Sequence, residues 1–220
     1  PKYESNMFKH ETQVIKFLLQ WYSVNARNLP WRKKNNLNLP DPYFVFVSEY
    51  MLQQTTVNTV KNKFNDFILK WPSLNKLAQT SEPNILKFWS GLGYYSRARN
   101  LLKSAKIIKK NFKNNIPKTY DELIQLPGIG DYTAKAILGI GFNQAVMPLD
   151  ANIERILVRL YAIDKPINKV KNKLKDLGKK FISDKYSSNL IQSFMDYGSE
   201  ICLPRNPKCN ICGINKFCQS

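Results

Sequence analysis

The chain has 220 residues, of which 43% are hydrophobic, enough for one domain or for two modest lobes around a shared cleft. Lys and Arg outnumber Asp and Glu by 34 to 16, and the formal net charge of +18 is expected to attract a polyanion, most commonly nucleic acid, unless it is only a solvated basic surface. No apolar run is long enough for a membrane span and the N-terminus lacks an apolar signal segment, so we expect a cytosolic, reducing setting.

Apolar residues at helical spacing predict an all-α fold, and strand-like alternation is nearly absent. Asp41-Pro42 is typical of an N-cap followed by proline at the first helical position, and the helical spacing that begins there continues to about Phe67. Thr119 and Glu122 predict a capping box before another helix. Further helical faces are indicated by Val14, Phe17, Leu18 and Trp21; by Leu101, Leu102, Ala105 and Ile108; by Ile153, Ile156, Leu157 and Leu160; and by Leu174, Leu177 and Phe181.

A glycine-containing turn at residues 126–130 (LPGIG) joins two of these helical segments. Gly128 and Gly130 permit backbone angles that other residues resist, and the next helix is expected to begin at about Asp131. The N–H groups and the positive dipole end of that helix form a phosphate-sized anion site. Taken alone, such a turn is more often an ordinary helix connection, but it becomes more specific when Asp150 follows downstream.

All four cysteines, Cys202, Cys209, Cys212 and Cys218, lie near the C-terminus at the spacing C-x6-C-x2-C-x5-C. Thiolates gathered at short spacing bind a soft metal centre, and a reducing compartment disfavours the alternative of two disulfides. The spacing by itself leaves a structural zinc and an iron–sulfur cluster both open.

Several motifs in order resemble a known family. Residues 126–155 are similar to the helix-hairpin-helix, Gly/Pro-rich loop and catalytic aspartate signature of a DNA glycosylase superfamily, and the cysteine spacing is similar to its [4Fe–4S] loop. This likeness favours a [4Fe–4S] cluster over zinc. Within the superfamily the chain resembles the adenine DNA glycosylases, the MutY family, through residues 29–32 (LPWR), 48–55 (SEYMLQQT) and 91–100 (GLGYYSRARN).

The resemblance implies that an adenine is flipped out of a duplex and its N-glycosidic bond hydrolysed. Such a reaction needs a proton donor at the base and an anion near C1′. Glu49 is implied as the donor to adenine N7 and then as the base toward water, and its apolar neighbours favour a protonated carboxyl. Asp150 is implied as the anion, because helix-end N–H groups favour its charged form, and Asn152 as a residue that orients it. The ordinary alternatives are a solvent-facing glutamate and a purely structural N-cap.

Other site residues are carried over by the same resemblance. Tyr132 stands where bifunctional relatives have a lysine nucleophile, which implies a monofunctional enzyme that leaves the abasic site uncut. Lys135 could stand in weakly for that lysine, but is more simply a phosphate contact or an exposed side chain. The residues implied in DNA binding are Gln54 and Tyr94 as groups that invade the base stack, Thr55 as a contact to the orphaned base, Gly128 and Gly130 of the hairpin, and Arg32, Arg97 and Arg99 as phosphate or pocket groups.

We expect two all-α lobes with DNA bound at the cleft between them. Residues 28–141 would form a six-helix lobe with the hairpin, and residues 1–27 plus 142–220 would form the cluster lobe. Members of the MutY family usually continue into a domain that senses 8-oxoguanine, whereas this chain stops soon after Cys218. We therefore expect no such domain in this chain, and discrimination of 8-oxoguanine from guanine is left open.

The expected partner is double-stranded DNA with A·8-oxoguanine or A·G mispairs, and the expected process is base excision repair. We expect the protein to be a monomer in the cytoplasm, associated with the nucleoid and without a membrane partner. Two alternatives remain. One is a mismatch glycosylase that removes thymine or uracil opposite guanine, since those relatives share the fold, the cluster and the Asp-x-Asn pair. The other is a non-catalytic DNA-binding protein, against which the intact Glu49 and Asp150 argue.

Overall fold

A computed structural model describes residues 2–32, 35 and 38–220, with side chains from residue 10 onward. The chain divides into two compact units: the hairpin unit, residues 28–142, and the cysteine unit, residues 1–27 and 143–220. Among the described residues there is no β-strand, so the all-α prediction is confirmed. In the same part of the chain, no helix has both the length and the apolar composition that crossing a bilayer requires.

Helix α1 (Lys2–Asn25) begins the cysteine unit, and a 3₁₀ turn at Pro30–Arg32 opens the hairpin unit. The described part of the hairpin unit contains seven α-helices rather than the expected six, and two of them have only five residues. They are α2 (Pro42–Leu52), α3 (Val57–Lys70), α4 (Leu74–Ala78), α5 (Glu82–Trp89), α6 (Ser96–Asn111), α7 (Tyr120–Ile124) and α8 (Asp131–Ala136), which continues into a π-helical segment (Ile137–Gly141).

Helix α2 is the centre of the hairpin unit. Asp41 accepts a hydrogen bond from the Tyr43 backbone N–H at 2.8 Å and Pro42 occupies the first turn, so the predicted N-cap is confirmed. Eight of the eleven α2 residues are buried, and the helix packs against α3, α6, α8 and the π-helical segment. Gly141 allows this last contact, because a Cβ there would lie 3.2 Å from the Pro42 Cα. A helix enclosed on so many sides holds its side chains in fixed positions.

The apolar spacing of this unit does not show where α2 ends. The helical spacing from Phe46 to Phe67 is not one helix, because α2 ends at Leu52 and α3 begins at Val57. Between them Gln54 has a left-handed φ of 56°, and Thr56 caps α3 by accepting from the Thr59 N–H. A residue in left-handed geometry cannot continue a right-handed helix.

The chain returns to the cysteine unit with α9 (Ala151–Leu160), α10 (Ile167–Lys179) and α11 (Ser187–Glu200). Helix α11 is its centre, buried from Ser187 to Gly198 except at Asn189, and it packs against α1 and α9. The fully buried Asp196 of α11 accepts from the Arg27 side chain at 2.7 Å and from its backbone N–H at 2.9 Å. This ion pair holds Arg27, which follows the end of α1, against α11.

Candidate active site

Glu49 is held by the packing of α2. Only 6% of the residue is exposed, and its neighbours Ser48 and Tyr50 are 1% and 0% exposed. The Ser48 hydroxyl donates to the Val45 carbonyl at 2.9 Å, so it turns back into its own helix. A glutamate is seldom buried to this extent, and a rigid helix positions a reactive group more accurately than a loop does.

The hairpin turn is fastened to α2 and α6 by side-chain hydrogen bonds. The Tyr50 hydroxyl donates to the Pro127 carbonyl at 2.6 Å, and the Ser104 hydroxyl reaches the same carbonyl at 3.1 Å. Gln53 Nε2 donates to the Gly128 carbonyl at 3.1 Å. The helix that carries Glu49 therefore also fixes the hairpin backbone.

The two hairpin glycines have different roles. Gly128 has a left-handed φ of 81°, and a Cβ there would lie 3.0 Å from the Asn100 Cβ and 3.1 Å from the Tyr50 Cε1, so both conformation and space require glycine. Gly130 does not use the angles that glycine permits, since its φ of −105° and ψ of −174° are ordinary extended values. No atom lies within 4 Å of a Cβ position at Gly130, so the missing side chain leaves the backbone at the start of α8 open.

Tyr132 is the second residue of α8 and is half-buried. Beside it, Asp131 accepts from the Tyr120 hydroxyl at 3.0 Å and pairs with Lys135, whose Nζ lies 2.9 Å from Asp131 Oδ1. Lys135 is therefore engaged with its own helix rather than extended into solvent, with 25% of its side chain exposed.

Gln54 and Tyr94 occupy the tips of two turns with the same unusual geometry. The Gln54 turn is residues 53–55 and the Tyr94 turn is residues 91–95. Both tip residues have left-handed φ values, 56° for Gln54 and 46° for Tyr94, and both are exposed. Tyr94 exposes 62% of its surface although it is a large aromatic residue. A non-glycine residue with left-handed backbone angles costs of order 1–2 kcal/mol, and such residues collect at functional sites.

Arg97 lies beneath these two turns and was misread from the sequence. It is 5% exposed, so it is not a free phosphate or pocket group. Its Nη1 donates to the carbonyls of Met51 at 2.6 Å and of Tyr50 at 3.3 Å, and to the carbonyl of Gln53. Its Nη2 donates to the Thr55 hydroxyl at 2.9 Å and to the carbonyls of Leu92 at 2.9 Å and Gly93 at 3.1 Å.

The remaining residues implied in DNA binding are less exposed than the turn tips. The Thr55 hydroxyl is engaged with Arg97 and donates to the Leu92 carbonyl at 3.4 Å. Arg32 ends the 3₁₀ turn of the hairpin unit and is half-buried. Arg99, two residues after Arg97, is exposed and pairs with Glu82 at 2.9 Å.

In the cysteine unit, Asp150 caps α9. Its Oδ1 accepts from the Ile153 backbone N–H at 2.8 Å and its Oδ2 accepts from Asn152 Nδ2 at 2.8 Å. The predicted N-cap position is confirmed, and Asn152 does hold the carboxylate. Gly198 of α11 makes room for this pair, because a Cβ there would lie 2.6 Å from the Asn152 Cβ.

Burial sets the direction of the Asp150 pKa. It raises the pKa above the ordinary aspartate value, although the hydrogen bonds from the Ile153 N–H and Asn152 and the Arg155 guanidinium lower it. Helix-end N–H groups alone favour the charged form, yet the tertiary fold removes water from this carboxyl. Burial therefore outweighs the local hydrogen bonds.

Arg155, which sequence reasoning did not single out, extends the Asp150 contacts toward the cysteines. Its Nη2 donates to Asn152 Oδ1 at 2.8 Å and to the Gly198 carbonyl at 2.6 Å, and its Nε donates to the Cys202 carbonyl at 2.7 Å. Asp150, Asn152, Arg155 and Cys202 therefore form one chain of hydrogen bonds. The only available sequence signal was the helical spacing of residues 152, 155 and 159, which puts them on one face of α9.

The four cysteines line a common cavity of about 220 Å³, and none of them is in a disulfide. Burial raises the pKa of the Cys218 thiol, and the charges of the other three cysteines raise it further. Among the described residues, no group of three or more His, Cys, Asp or Glu side chains is arranged as the ligands of a single metal ion. Four thiols around one cavity are a donor set that suits a soft metal centre.

Two side chains outside the cysteine set donate to its sulfurs. Arg159 Nη1 lies 3.2 Å from the Cys202 Sγ and 2.7 Å from the Leu203 carbonyl. The Tyr197 hydroxyl lies 3.2 Å from the Cys212 Sγ and accepts from the Gly213 N–H at 3.0 Å. Donors of this kind orient sulfur ligands and stabilise their negative charge.

Comparison with known sequences points to one family. Residues 47–180, more than half of the chain, match the family described as HhH-GPD superfamily base excision DNA repair protein. The adenine DNA glycosylase of Buchnera aphidicola subsp. Baizongia pistaciae (strain Bp) is 44% identical over 205 residues, which cover 92% of this chain and 57% of the relative. The adenine DNA glycosylase of Homo sapiens is 37% identical over 224 residues, which cover 98% of this chain and 41% of the relative. The chain thus spans about half the length of the curated relatives it matches.

Solved structures share the fold. A thermostable thymine-DNA glycosylase matches with a TM-score of 0.85 and 26% identity over 96% of both chains. A non-covalent endonuclease III–DNA complex matches with a TM-score of 0.75 and 19% identity over 95% of both chains, which establishes a common fold and no more. The fold is the all-α helix-hairpin-helix fold of endonuclease III.

Proposed function

The chain belongs to the HhH-GPD superfamily of base excision DNA repair proteins, and on this premise we propose that it hydrolyses the N-glycosidic bond of adenine mispaired with 8-oxoguanine or guanine in double-stranded DNA. The observation that carries the proposal is the 44% identity with an adenine DNA glycosylase over 92% of the chain. The conserved fold and two buried or capped carboxyls, Glu49 and Asp150, support it.

The proposed mechanism divides the work between these carboxyls. Glu49 protonates N7 of a flipped adenine, so the base leaves as a neutral molecule when the bond from C1′ to N9 breaks. Asp150, as a carboxylate, stabilises the positive charge that develops on the sugar. Glu49 then accepts a proton from water as the water oxygen bonds to C1′. The hydrogen bonds from Asn152 and the Ile153 N–H support an ionised Asp150.

Tyr132 is proposed to line the same reaction site without acting as an amine nucleophile. A phenol cannot form a Schiff base with the sugar, so the enzyme would be monofunctional and would leave an abasic site. The engagement of Lys135 with Asp131 supports this, because the nearest lysine of α8 is held in an ion pair.

DNA is proposed to contact the hairpin unit at Gly128 and Gly130, at the exposed turn tips Gln54 and Tyr94, and at Thr55 and Arg32. The open backbone at Gly130 supports close approach of a phosphate, and the exposure of Tyr94 supports a wedge role. The two units would act as the two lobes of a monomer. The net charge of +18 supports a polyanionic partner, and a cytoplasmic, nucleoid-associated location is part of the same proposal.

We propose that Cys202, Cys209, Cys212 and Cys218 hold a [4Fe–4S] cluster. The shared cavity and the donors Arg159 and Tyr197 support it. Because glycosidic hydrolysis transfers no electrons, the cluster would supply structural cross-linking of the C-terminal segment. Iron and sulfide analysis should give about four of each per chain; one zinc and no sulfide would contradict the assignment.

A second candidate function is removal of thymine or uracil opposite guanine. The match to the thymine-DNA glycosylase structure favours it, because its coverage is nearly complete and its TM-score is 0.85. The identity to that structure is 26%, however, against 44% to the adenine enzyme, so adenine is the preferred target.

Single-turnover base release on three duplexes tests the proposal: adenine opposite 8-oxoguanine, adenine opposite guanine, and thymine opposite guanine, each analysed before and after hot alkali. Strand breaks only after alkali, and only in the adenine duplexes, are expected. Cleavage of the thymine duplex instead would establish the second candidate. Breaks without alkali would overturn the role given to Tyr132, and a protein that binds all three without releasing a base would be a non-catalytic binder.

A further inference from the structure

A buried guanidinium joins three segments of the hairpin unit. Arg97 binds the last carbonyls of α2, both sides of the Gln54 turn, and the carbonyls that precede Tyr94. Its partners are carbonyl oxygens and one hydroxyl, and its Nε is buried with no hydrogen-bond partner. Burying a charge against dipoles alone is costly, and burial lowers the pKa of this guanidinium. The arrangement persists only because the α2 carbonyl end, with its negative dipole, and the two turns share the cation.

The same contacts account for the strained geometry of the turn tips. Non-glycine residues stay in left-handed geometry only when their surroundings over-determine it. Arg97 binds residues immediately before and after Gln54, and it binds the Gly93 carbonyl immediately before Tyr94. Its guanidinium carbon also lies 5.7 Å from the centre of the Tyr94 ring. Both tips are thereby set before any ligand arrives.

We propose that Arg97 is a positioning residue that fixes Gln54 and Tyr94 as preformed wedges and couples them to the helix that carries Glu49. The proposal rests on the proposed function, since it concerns how a base is extruded from the stack. A wedge that is already rigid loses less conformational freedom on binding, so more of the binding free energy goes into unstacking. The same guanidinium binds carbonyls in the last turn of α2. Displacement of the wedges therefore also displaces Glu49, the proton donor on that helix.

The test compares Arg97→Lys with Lys106→Arg. Lysine at position 97 keeps the charge but concentrates its donors at one atom, so it cannot span the three segments as a planar guanidinium does. Lys106 lies in the same helix, is exposed and has no assigned contact to DNA, so its charge-preserving replacement by arginine is the matched control. Thr55→Val is the second test variant, in case Arg97→Lys does not fold. It keeps the side-chain shape and removes the hydroxyl that accepts from Arg97 and donates to the Leu92 carbonyl.

Two quantities are measured on an A·8-oxoguanine duplex with 2-aminopurine beside the target adenine: the rise in 2-aminopurine fluorescence at saturating protein, and the single-turnover rate of adenine release. For Arg97→Lys we expect a smaller fluorescence rise and a rate lowered by about tenfold or more, with Thr55→Val changed in the same direction by less. Affinity for undamaged duplex should change by about twofold at most, because phosphate contacts are kept. A purely structural role would lower the melting temperature and leave the unstacking amplitude of the folded protein unchanged.

The proposal is overturned if folded Arg97→Lys and Thr55→Val both match Lys106→Arg in unstacking amplitude and in rate. A wild-type protein that unstacks the duplex but releases no adenine would instead contradict the proposed function. In that case the fluorescence comparison between Arg97→Lys and Lys106→Arg still decides the role of Arg97.

Discussion

Glu49 and Asp150 are both carboxyl groups removed from water, but Glu49 lies within the buried helix α2 of the hairpin unit, whereas Asp150 caps a helix of the cysteine unit and accepts from Asn152 and the Ile153 N–H. Burial raises the pKa of an aspartate and donors lower it, and for Asp150 burial prevails. The ionisation of Asp150 is therefore a balance that single residues can tip. The position of Glu49, in contrast, depends on the integrity of a whole helix.

Removing either carboxyl group should have the largest effect on the rate of adenine release. Glu49→Gln and Asp150→Asn each keep the side-chain shape and remove the titrating group. We expect either change to lower the single-turnover rate of adenine release by about 10²–10⁴-fold, the range for loss of a general acid or a charge-stabilising group. The two variants should bind the mispaired duplex about as well as the wild type.

Asp150→Asn should also change the stability of the cysteine unit. Because the folded-state pKa of Asp150 is raised, its buried charge destabilises the fold at pH values above that pKa. Asp150→Asn is therefore expected to melt no lower than the wild type at pH 7. A lower melting temperature, or a rate within about tenfold of the wild type, would contradict the assignment.

Gly198→Ala should disturb the packing that positions Asn152 beside Asp150. The new methyl would lie 2.6 Å from the Asn152 Cβ and 3.1 Å from its Cα, and backbone must move to relieve this. Overpacking of this kind costs about 1–3 kcal/mol of unfolding free energy, measured by denaturant titration. Adenine release should fall as well, because Asn152 holds the carboxylate. Unchanged stability would mean that the contact between α9 and α11 can relax without cost.

The sequence predicts features that have local causes and misses features that depend on tertiary contacts. The caps at Asp41, Thr119 and Asp150 were predictable because an N-cap needs only its own next three residues. The end of α2 was not, because the left-handed Gln54 is held by Arg97, which is distant in sequence. A pattern of apolar spacing cannot register such a contact.

The candidate site shows the same division. Cysteine spacing is local, and it predicted the four side chains that line one cavity. The effect of burial on the Asp150 pKa was not predicted, because desolvation depends on the whole unit. Arg155, Arg159 and Tyr197 were missed because their partners are backbone carbonyls and sulfurs far along the chain. The roles of all these residues in catalysis stay predictions.

Asn152→Leu should shift the pH dependence of the reaction. Asn152 donates to Asp150, and that hydrogen bond lowers the pKa of Asp150 against the effect of burial. Without this hydrogen bond the pKa of Asp150 rises further. On acidification Asp150 therefore loses its charge at a higher pH than in the wild type. The acidic limb of the pH profile of single-turnover release should therefore move to higher pH. Asn168→Leu, at an exposed asparagine of α10, is the control and should leave the limb in place.

Gly130→Ala tests the hairpin unit at a position that packing leaves open, and we expect the smallest effect there. A methyl group meets no atom within 4 Å and φ is ordinary, so the unfolding free energy should change by at most about 0.5 kcal/mol. Gly128→Ala, two residues earlier, should destabilise by about 1–3 kcal/mol because its φ is left-handed and its surroundings are full. If the open backbone at Gly130 admits a phosphate, Gly130→Ala should weaken binding to any duplex by about threefold, the scale of one helix-end contact. Loss of stability without loss of affinity would show that Gly130 serves the fold, and the hairpin would then need another point of contact with DNA.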